Sequence, residues 1–214
     1  MIYHPVEQNT ENPCPCCGKT WMELRGGKIT GSVVGKAMAH YGKAFGDPAR
    51  AMAVEIAVVE LGGEPELSSY TNGHMERGHE QEPIARRLYE QEFFCEVQNG
   101  GFIESGKLGC SPDGLVGENG MIEIKSVIKP VHYNCVKTNS YDTKYKWQLF
   151  HNLIVSEREW IDFVSFCATF PAGNKLFTNR VYREDIKEEE EKIRVRMEQF
   201  NELVEDIKVS LQRN

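Results

Sequence analysis

The chain has 214 residues, with 32 acidic against 25 basic side chains and a formal net charge of −7. A hydrophobic content of 40% and an aromatic content of 10% exclude a mainly disordered chain, and the length is typical of one domain with a sizeable core. The acidic balance excludes a protein that holds nucleic acid by bulk positive charge, although it leaves room for a local basic groove.

The cysteines and the N-terminus indicate the compartment. The seven cysteines are odd in number and four of them are widely scattered. The N-terminus lacks the charged start and apolar run of a signal peptide, and no stretch approaches the roughly 18 apolar residues of a membrane helix. We therefore expect a cytoplasmic protein with mostly free thiols and no membrane association.

Residues 1–20 are polar and contain three prolines, which predicts an irregular N-terminal arm. Cys14, Cys16 and Cys17 lie in this arm and could bind zinc or an iron–sulfur cluster. His4 is the only other nearby candidate for a fourth zinc ligand. We favour an arm without a metal, and the sequence leaves the choice open.

Two helices are predicted after the arm. Ser32 is the expected N-cap of the first helix, which continues through Met38. Asp47 as N-cap and Pro48 at the first helical position predict the start of the second helix, which ends at Gly62. Because the second helix is apolar on most faces, we expect it to be buried.

A third helix is predicted over residues 75–91. We expect a kink or a new start near Glu82, because Pro83 has no backbone N–H to donate. The pattern then changes to short strand-like runs, separated by two Asn-Gly pairs that are typical of hairpins. These runs are residues 93–97, 101–104, 108–116 and 121–127, and the Asn-Gly pairs lie at 99–100 and 119–120.

The C-terminal part is predicted to contain a helix over residues 144–155, a strand over 160–170 and a long helix over 184–214. Apolar residues in the last helix recur at alternating spacings of about 3 and 4 residues, which defines a narrow stripe. We favour a surface helix that lies on the core over a subunit contact. Since no repeat or second domain is evident, residues 1–214 are predicted to form a single domain.

One group of residues has the composition of a catalytic site. Asp113 is followed, beyond the Asn-Gly pair at 119–120, by Glu123 and Lys125. A hairpin would bring Asp113 beside the return strand, where Glu123 and Lys125 share one face while Ile122 and Ile124 point into the core. An ordinary strand with outward-facing Glu and Lys is the alternative; the Pro-Asp pair before the turn favours a site.

A hydrolytic site follows from the chemistry of these residues. Two buried carboxylates repel each other, and a divalent cation relieves that repulsion. Mg²⁺ prefers oxygen ligands and retains waters next to a phosphate substrate. A lysine beside the metal can orient or deprotonate a water, so Asp113, Glu123 and Lys125 are suited to hydrolysis of a phosphodiester.

The pattern Pro112-Asp113…Glu123-x-Lys125 resembles the signature of the PD-(D/E)xK nucleases. Five segments, in the same order, resemble the phage lambda-type exonucleases, the YqaJ-like viral recombinase family. Together they span residues 21 to about 170 and leave the C-terminal helix outside. The segments are Trp21 to Ser32, Gly78 to Arg86, Ser111 to Leu115, Glu123 to Lys125, and Tyr145 to Gln148.

The resemblance implies roles in the catalytic centre. Asp113, Glu123 and the backbone carbonyl of Ile124 would be metal ligands, and Lys125 would serve the attacking water. Glu82 would contact the second metal or its waters. Its spacing from Gly78, Ala85 and Tyr89 on a helix predicts that it points inward, whereas a solvated glutamate is the alternative.

The resemblance also implies roles around the scissile strand. Gln148 would orient the water or the strand, although an exposed polar residue is the alternative. Arg25 would bind the 5′-terminal phosphate through its guanidinium, and Ser111 would add a hydroxyl. Ser32 would contribute its hydroxyl and the dipole of its helix. A surface arginine and a plain N-cap are the alternatives for Arg25 and Ser32.

The implied fold is α/β, with a restriction-endonuclease-like core whose central twisted mixed sheet of about five strands is flanked by α-helices. The implied activity is 5′-to-3′ exonucleolysis of linear double-stranded DNA, with two Mg²⁺ ions per active site that Mn²⁺ can replace. It would release 5′-mononucleotides and leave a 3′ single-stranded tail. The single nuclease domain would act as a toroidal homotrimer with a single-strand annealing protein, in the bacterial cytoplasm and of phage or prophage origin.

Two alternatives remain open at this point. One is another PD-(D/E)xK DNA endonuclease of the restriction or repair type. The other is a non-catalytic DNA-binding module, which the presence of Asp113, Glu123 and Lys125 disfavours. The charge distribution fits a DNA enzyme: residues 124–146 contain five lysines and one acid, whereas residues 184–214 carry a net charge of −4. This distribution predicts a basic channel with an acidic rim.

Overall fold

The computed structural model describes residues 1–8, 10–65 and 73–213, without the side chains of residues 73–76. Within these residues the strands are β1 Ile2–His4, β2 Val97–Gln98, β3 Phe102–Ser105, β4 Leu108–Cys110, β5 Gly114–Val116, β6 Gly120–Ser126, β7 Trp160–Phe166 and β8 Leu176–Tyr182. The helices are α1 Trp21–Arg25, α2 Gly31–Met38, α3 Asp47–Glu60, α4 Gly73–Phe93, α5 Lys129–Thr138, α6 Lys146–Ser156 and α7 Lys187–Gln212. None of the described helices is long and apolar enough to span a bilayer.

The strands form two sheets. The larger sheet has the order β2-β5-β6-β7-β8, in which β6 and β7 are parallel and the other pairs are antiparallel. The smaller sheet has the order β1-β3-β4 and is antiparallel throughout. The expectation of an α/β fold with a mixed sheet of five strands is confirmed, and the β5–β6 hairpin includes its central strand.

The central strand β6 separates two cores because its side chains alternate between the faces of the sheet. Met121 packs into the core that contains α6. Ile122 and Ile124 point to the opposite face, where they pack with Ala85 and Tyr89 of α4. This alternation confirms the predicted inward direction of the two isoleucines.

The N-terminal arm is more ordered than the sequence predicts. Residues 2–4 form β1, which pairs with β3 and extends the smaller sheet. Val6 and Cys14 are 1% exposed and pack with Trp21, Leu24 and Phe102 in a small separate core. The other described residues of the arm, between 5 and 20, form no helix or strand, whereas the pairing of residues 2–4 with a strand about 100 residues away cannot be inferred from local composition.

Both predicted N-caps are displaced by one or two residues. The N-cap of α2 is Thr30, so Ser32 lies in the first turn of the helix. The N-cap of α3 is Gly46, so Asp47 lies in the first turn, where its charge interacts favourably with the helix dipole. Burial of α3 is also one-sided, because Val54 and Val58 remain 46% and 37% exposed.

The third helix continues through Pro83 as one helix, α4. It extends to Phe93, and Phe94 ends it with a positive φ of 50°. Of the predicted strand over residues 93–97, only Val97 therefore lies in a strand, β2. Helix α4 is held against the sheet farther along, where the Tyr89 hydroxyl donates to Asp162 Oδ2 over 2.6 Å.

The predicted strand over residues 108–116 is two strands that belong to different sheets. β4 ends at Cys110 in the smaller sheet, and β5 begins at Gly114 in the larger one. The Asn-Gly pair at 99–100 likewise connects the two sheets and does not form a hairpin. Gly100 is required there because a Cβ atom would lie 1.7 Å from the carbonyl oxygen of Pro112.

Three further elements differ from the prediction, of which strand β8 was not predicted. Helix α5 is not predicted, and it forms with α6 the crossover between the parallel strands β6 and β7. Strand β7 ends at Phe166, four residues before the predicted end. Helix α6 begins at Lys146 after a 3₁₀ turn over Thr143–Tyr145, close to the predicted helix.

The C-terminal helix lies on the core, as the favoured interpretation predicts. It begins at Lys187 after a 3₁₀ turn over Arg183–Ile186 and packs mainly against α3 and α2. The buried stripe consists of Ile193, Met197, Phe200 and Val204. Arg196 is buried beside this stripe and donates to the carbonyl oxygens of Ala37 and His40 over 3.0 and 3.1 Å, at the end of α2.

Replacing Arg196 by methionine is expected to lower the free energy of unfolding by about 2–3 kcal/mol, because the carbonyl groups at the end of α2 would lose buried charge-assisted donors. The matched control is Arg194→Met on the same helix. Its side chain is 48% exposed and pairs with Glu190, so a change within about 0.5 kcal/mol is expected. Urea denaturation measures both changes, and equal losses in the two variants would contradict the assignment.

Candidate active site

Asp113 lies where the chain leaves the smaller sheet and enters the larger one. Its backbone N–H donates to the carbonyl of Ile122 over 3.1 Å. Its carboxylate Oδ2 accepts the backbone N–H of Ile124 over 2.6 Å. The antiparallel register of β5 and β6 pairs Gly114 with Ile122, which places Asp113 beside the strand that carries Glu123 and Lys125.

The Glu123 carboxylate is 1% exposed and is surrounded by donors. Oε1 accepts hydrogen bonds from Lys125 Nζ and from Gln148 Nε2, each over 2.5 Å. Oε2 accepts from Asn152 Nδ2 over 3.0 Å. Gln148 therefore points into the site and is not an exposed polar residue of α6.

Asn152 is a site residue that the sequence analysis did not identify. It lies four residues after Gln148 on α6, so the two amides share one face of the helix. Because Gln148 is a predicted site residue, this four-residue spacing indicates from the sequence that Asn152 lies on the same side of the helix. Asn152 is 2% exposed, and burial of both partners strengthens its hydrogen bond to Glu123.

Glu82 lies on α4 on the far side of Asp113. Its Oε1 is 3.3 Å from Arg86 Nη2, and Arg86 also donates to the backbone carbonyl of Asp113. Arg86 lies in a segment that resembles the family, but the resemblance implies no role for it. Its four-residue spacing from Glu82 is that of a helical ion pair, which is a signal in the sequence. Glu82 thus points toward the hairpin, as the helical spacing predicts.

The three carboxyl groups disfavour ionisation. Burial raises the pKa of Glu123 to about 7, and repulsion from Asp113 adds to the effect. Burial and the charge of Asp113 likewise raise the pKa of Glu82 to about 7. Burial also raises the pKa of Asp113, against the opposing attraction of Lys125. When all three carboxyl groups are ionised, their negative charge is thus not fully balanced by the basic side chains around them.

Lys125 remains an ammonium group. Burial alone would lower the pKa of Lys125, but the neighbouring carboxylates of Glu123 and Asp113 raise it above its ordinary value. The Nζ atom also lies 5.3 Å from the centroid of the Tyr145 ring, within cation–π range. In this arrangement Lys125 supplies a fixed positive charge and a hydrogen-bond donor.

These side chains line a cleft of about 550 Å³. Glu82, Asp113 and Lys125 lie on its wall, and Glu123 lies behind them. The cleft is also lined by polar and basic residues from the N-terminal segment, α4 and the turn before α6, namely Gln8, Arg77, His79 and Lys144. Gln8 donates to the carbonyl of Pro112 over 2.7 Å, a contact that no sequence signal indicated.

Arg25 and Ser111 are connected through Trp21. The Arg25 guanidinium lies 4.3 Å from the centroid of the Trp21 ring, and Trp21 Nε1 donates to Ser111 Oγ over 2.8 Å. Burial lowers the pKa of Arg25. No carboxylate in the described part of the chain pairs with this guanidinium, so its donors are available to an anion.

Ser32 lies in the first turn of α2. It is exposed and its Oγ is 3.2 Å from Thr30 Oγ1. It lines a second depression of about 400 Å³ together with Gln148, Lys36 and Lys144. The structure therefore brings Ser32 next to Gln148, and no hydrogen bond among the described residues joins it to Arg25 or Ser111.

Comparisons with known proteins identify the family and the fold. The YqaJ-like viral recombinase domain matches residues 20–159. The crystal structure of an alkaline exonuclease, LHK-Exo, from Laribacter hongkongensis is 30% identical, with a TM-score of 0.74 over 90% of this chain and 97% of that chain. LHK-Exo in complex with dAMP gives the same identity and coverage with a TM-score of 0.75.

A phage related exonuclease from Haemophilus somnus shares the fold, with 16% identity and a TM-score of 0.65 over 86% of this chain and 96% of that chain. No curated protein matches the sequence significantly. The domain match covers more than half of the chain, and LHK-Exo is similar over nearly its whole length. The chain therefore belongs to the YqaJ-like viral recombinase family.

Proposed function

We propose that this protein is a Mg²⁺-dependent 5′-to-3′ exonuclease that degrades one strand of linear double-stranded DNA from its end. It would release 5′-mononucleotides and leave a 3′ single-stranded tail. The observation that carries the proposal is the convergence of Glu82, Asp113 and Lys125 on the wall of one cleft, with Glu123 behind them. In the described part of the chain, no carboxylate pairs with Arg25.

The donor set fits magnesium. Three carboxyl groups meet at the cleft, and burial with mutual repulsion raises the pKa of each. Hard carboxylate and carbonyl oxygens are the ligands that Mg²⁺ prefers. Asp113, Glu123 and the carbonyl of Ile124 would hold one ion, and Glu82 would serve a second. Bound Mg²⁺ supplies charge stabilisation for the phosphate and a lowered pKa of a bound water, and Mn²⁺ is expected to replace it.

The remaining residues of the site orient groups through hydrogen bonds. Lys125 is positioned to direct the attacking water, since its ammonium is anchored on Glu123. Gln148 donates to the same carboxylate oxygen and would hold the water or the scissile strand. Asn152 would keep Glu123 in place from the other side. In this role Asn152 is a positioning residue.

Arg25 would determine polarity by binding the 5′-terminal phosphate. A guanidinium can donate two parallel hydrogen bonds to a phosphate, and stacking on Trp21 restricts its orientation. Ser111, which accepts from Trp21, would present its hydroxyl to the same phosphate. Ser32, which lines the neighbouring depression, would add its hydroxyl and the dipole of its helix to the binding of that phosphate.

The similar structures support the reaction. LHK-Exo is an alkaline exonuclease, and its complex contains dAMP, a deoxynucleoside monophosphate of the kind that exonucleolysis releases. The family resemblance further supports a toroidal homotrimer around DNA, a single-strand annealing protein as partner, and a cytoplasmic location in a bacterial host. These associations rest on the resemblance alone.

The polarity is tested with linear duplex DNA labelled at either the 5′ or the 3′ end and digested in Mg²⁺. We expect the 5′ label to appear at once as a mononucleotide, while the 3′ label stays in a long single strand. Closed circular DNA is expected to remain intact. Nicking of the circle would indicate an endonuclease and contradict this proposal. Early release of the 3′ label would indicate the opposite, 3′-to-5′ polarity.

The catalytic control for that assay is Asp113→Asn, which keeps an oxygen to accept the Ile124 N–H but removes the charge. We expect a loss of activity of more than about 100-fold with unchanged folding. Glu118→Gln, in the exposed turn of the same hairpin, is the matched variant and is expected to retain activity.

Metal binding is expected to depend on pH. The raised pKa values, about 7 for Glu82 and Glu123, mean that Mg²⁺ must displace protons below neutral pH. Without metal, the folded carboxyls keep protons that the unfolded chain releases above about pH 4.5. The free energy of unfolding therefore falls as the pH rises from about 4.5 to about 7. Added Mg²⁺ should raise the Tm more at about pH 8 than at about pH 6.

Thermal melts with and without Mg²⁺ across this range measure the effect. The variant Glu123→Gln removes one titrating group and is expected to flatten the pH dependence. A Mg²⁺-induced shift of Tm that is the same at every pH would contradict the assignment of these carboxyls as ligands.

Arg25→Ala is expected to remove the preference for 5′-phosphorylated ends. Loss of a charge-assisted bidentate contact should lower kcat/KM about tenfold or more on phosphorylated ends and much less on 5′-hydroxyl ends. Arg213→Ala, at the exposed end of α7, removes the same charge elsewhere and should change neither rate. Equal losses of Arg25→Ala on both kinds of end would refute the phosphate contact.

A further inference from the structure

Four potential metal ligands meet at the N-terminal segment, away from the active-site cleft. They are His4, Cys14, Cys16 and Cys17, which we call the Cys₃His cluster. One ligand atom from each residue lies within 4.8 Å of all the others. All seven cysteines of the chain are free thiols in this structure, and three of them are here.

The sulfur-to-nitrogen distances in the Cys₃His cluster are close to those of a mononuclear tetrahedral site. The Nδ1 atom of His4 lies 3.5 Å from Cys17 Sγ, 3.6 Å from Cys16 Sγ and 4.0 Å from Cys14 Sγ. A tetrahedral zinc ion with ordinary Zn–S and Zn–N bonds requires S···N distances of about 3.6 Å and S···S distances of about 3.8 Å. The Cys14–Cys16 sulfur pair, at 3.0 Å, would separate slightly on binding.

The histidine ring is already oriented for coordination. Its Nε2 atom lies 3.2 Å from Glu104 Oε1, and Glu104 is held by Lys28 over 2.7 Å. A proton on Nε2 donated to that carboxylate leaves the lone pair of Nδ1 directed at the three sulfurs. A carboxylate behind a histidine ligand is the usual outer partner in zinc sites.

The backbone around the cysteines forms a tight knuckle. The N–H of Cys14 donates to the carbonyl of Lys19, and the N–H of Gly18 donates to the carbonyl of Cys14, over 2.7 and 2.8 Å. Gly18 has a φ of 73°, which favours glycine. This knuckle brings the sulfurs of Cys14, Cys16 and Cys17 together beside His4.

We propose that the Cys₃His cluster binds one structural Zn²⁺ ion through His4 Nδ1 and the sulfurs of Cys14, Cys16 and Cys17. Three soft sulfurs and one imidazole nitrogen are a donor set of zinc, and four protein ligands leave no open position for substrate or water. The site is therefore structural, distinct from the carboxylate site, and independent of whether the protein is an exonuclease.

The zinc ion would anchor the segment to the active-site loop. Between His4 and Cys14, Gln8 donates to the carbonyl of Pro112. After the cluster, Trp21 donates to Ser111. The small core beneath the segment contains few residues, so the ordering of this irregular stretch needs another source of free energy, which a bound metal supplies.

The full-length protein, purified without chelators after growth in zinc-supplemented medium, should contain about one zinc per chain by inductively coupled plasma mass spectrometry. The double variant Cys16→Ser/Cys17→Ser changes only exposed side chains and should lose this zinc. Cys95→Ser, a cysteine outside the cluster, should retain it. Asp113→Asn should also retain it, which separates the cluster from the carboxylate site.

Substitution with Co²⁺ identifies the ligands. We expect thiolate-to-cobalt charge-transfer absorption and tetrahedral d–d bands in the wild type and in Cys95→Ser, and their absence in the double variant. Wild-type protein without zinc that also fails to take up Co²⁺ would overturn the proposal. Iron in place of zinc, or a disulfide between Cys14 and Cys16 by mass spectrometry, would overturn it as well.

The anchoring role has its own measurement. Removal of zinc by a chelator, in Mg²⁺-free buffer, should speed tryptic cleavage at the exposed Lys19 about tenfold or more, since local opening of the segment would become easier. An unchanged cleavage rate after zinc loss would refute the anchoring role.

Discussion

A buried carboxylate on the central strand constrains the rest of the structure. Glu123 is almost completely removed from water, so its two oxygens require donors from the protein or a cation. Lys125 of the same strand supplies one donor, and Gln148 and Asn152 of α6 supply the other two. Because both amides must reach one carboxylate, α6 can pack on the sheet in one register only.

The constraint propagates to both sides of the active site. α2 packs on α6 so closely that a Cβ atom at Gly31 would lie 2.9 Å from Cγ of Gln148. On the opposite face of the sheet, Asp162 accepts from Tyr89 of α4 and from Arg180 of β8, and is 1% exposed. That second buried carboxylate fixes α4, and with it Glu82 beside Asp113.

The two buried acids have different consequences because their partners differ. Asp162 has an arginine in bidentate contact over 2.8 Å at each oxygen, so its charge is balanced within the fold. Glu123, Asp113 and Glu82 share Lys125 and Arg86, and burial and mutual repulsion raise their pKa values. The imbalance is located at the cleft, where a divalent cation can relieve it.

The sequence by itself determined those positions of site residues that follow from local backbone geometry. The two-residue period of a strand placed Glu123 and Lys125 on one face, the hairpin placed Asp113 beside them, and helical spacing selected Glu82. Only tertiary packing decided the rest. Three contacts join segments that are far apart in the chain, namely Asn152 with Glu123, Arg86 with the carbonyl of Asp113, and Gln8 with the carbonyl of Pro112. His4 reaches the three cysteines because β1 pairs with β3, and the break at Ser111 to Asp113 exists because the chain there changes sheets. Such contacts depend on how elements pack across the core, which the spacing of residues along one segment does not encode.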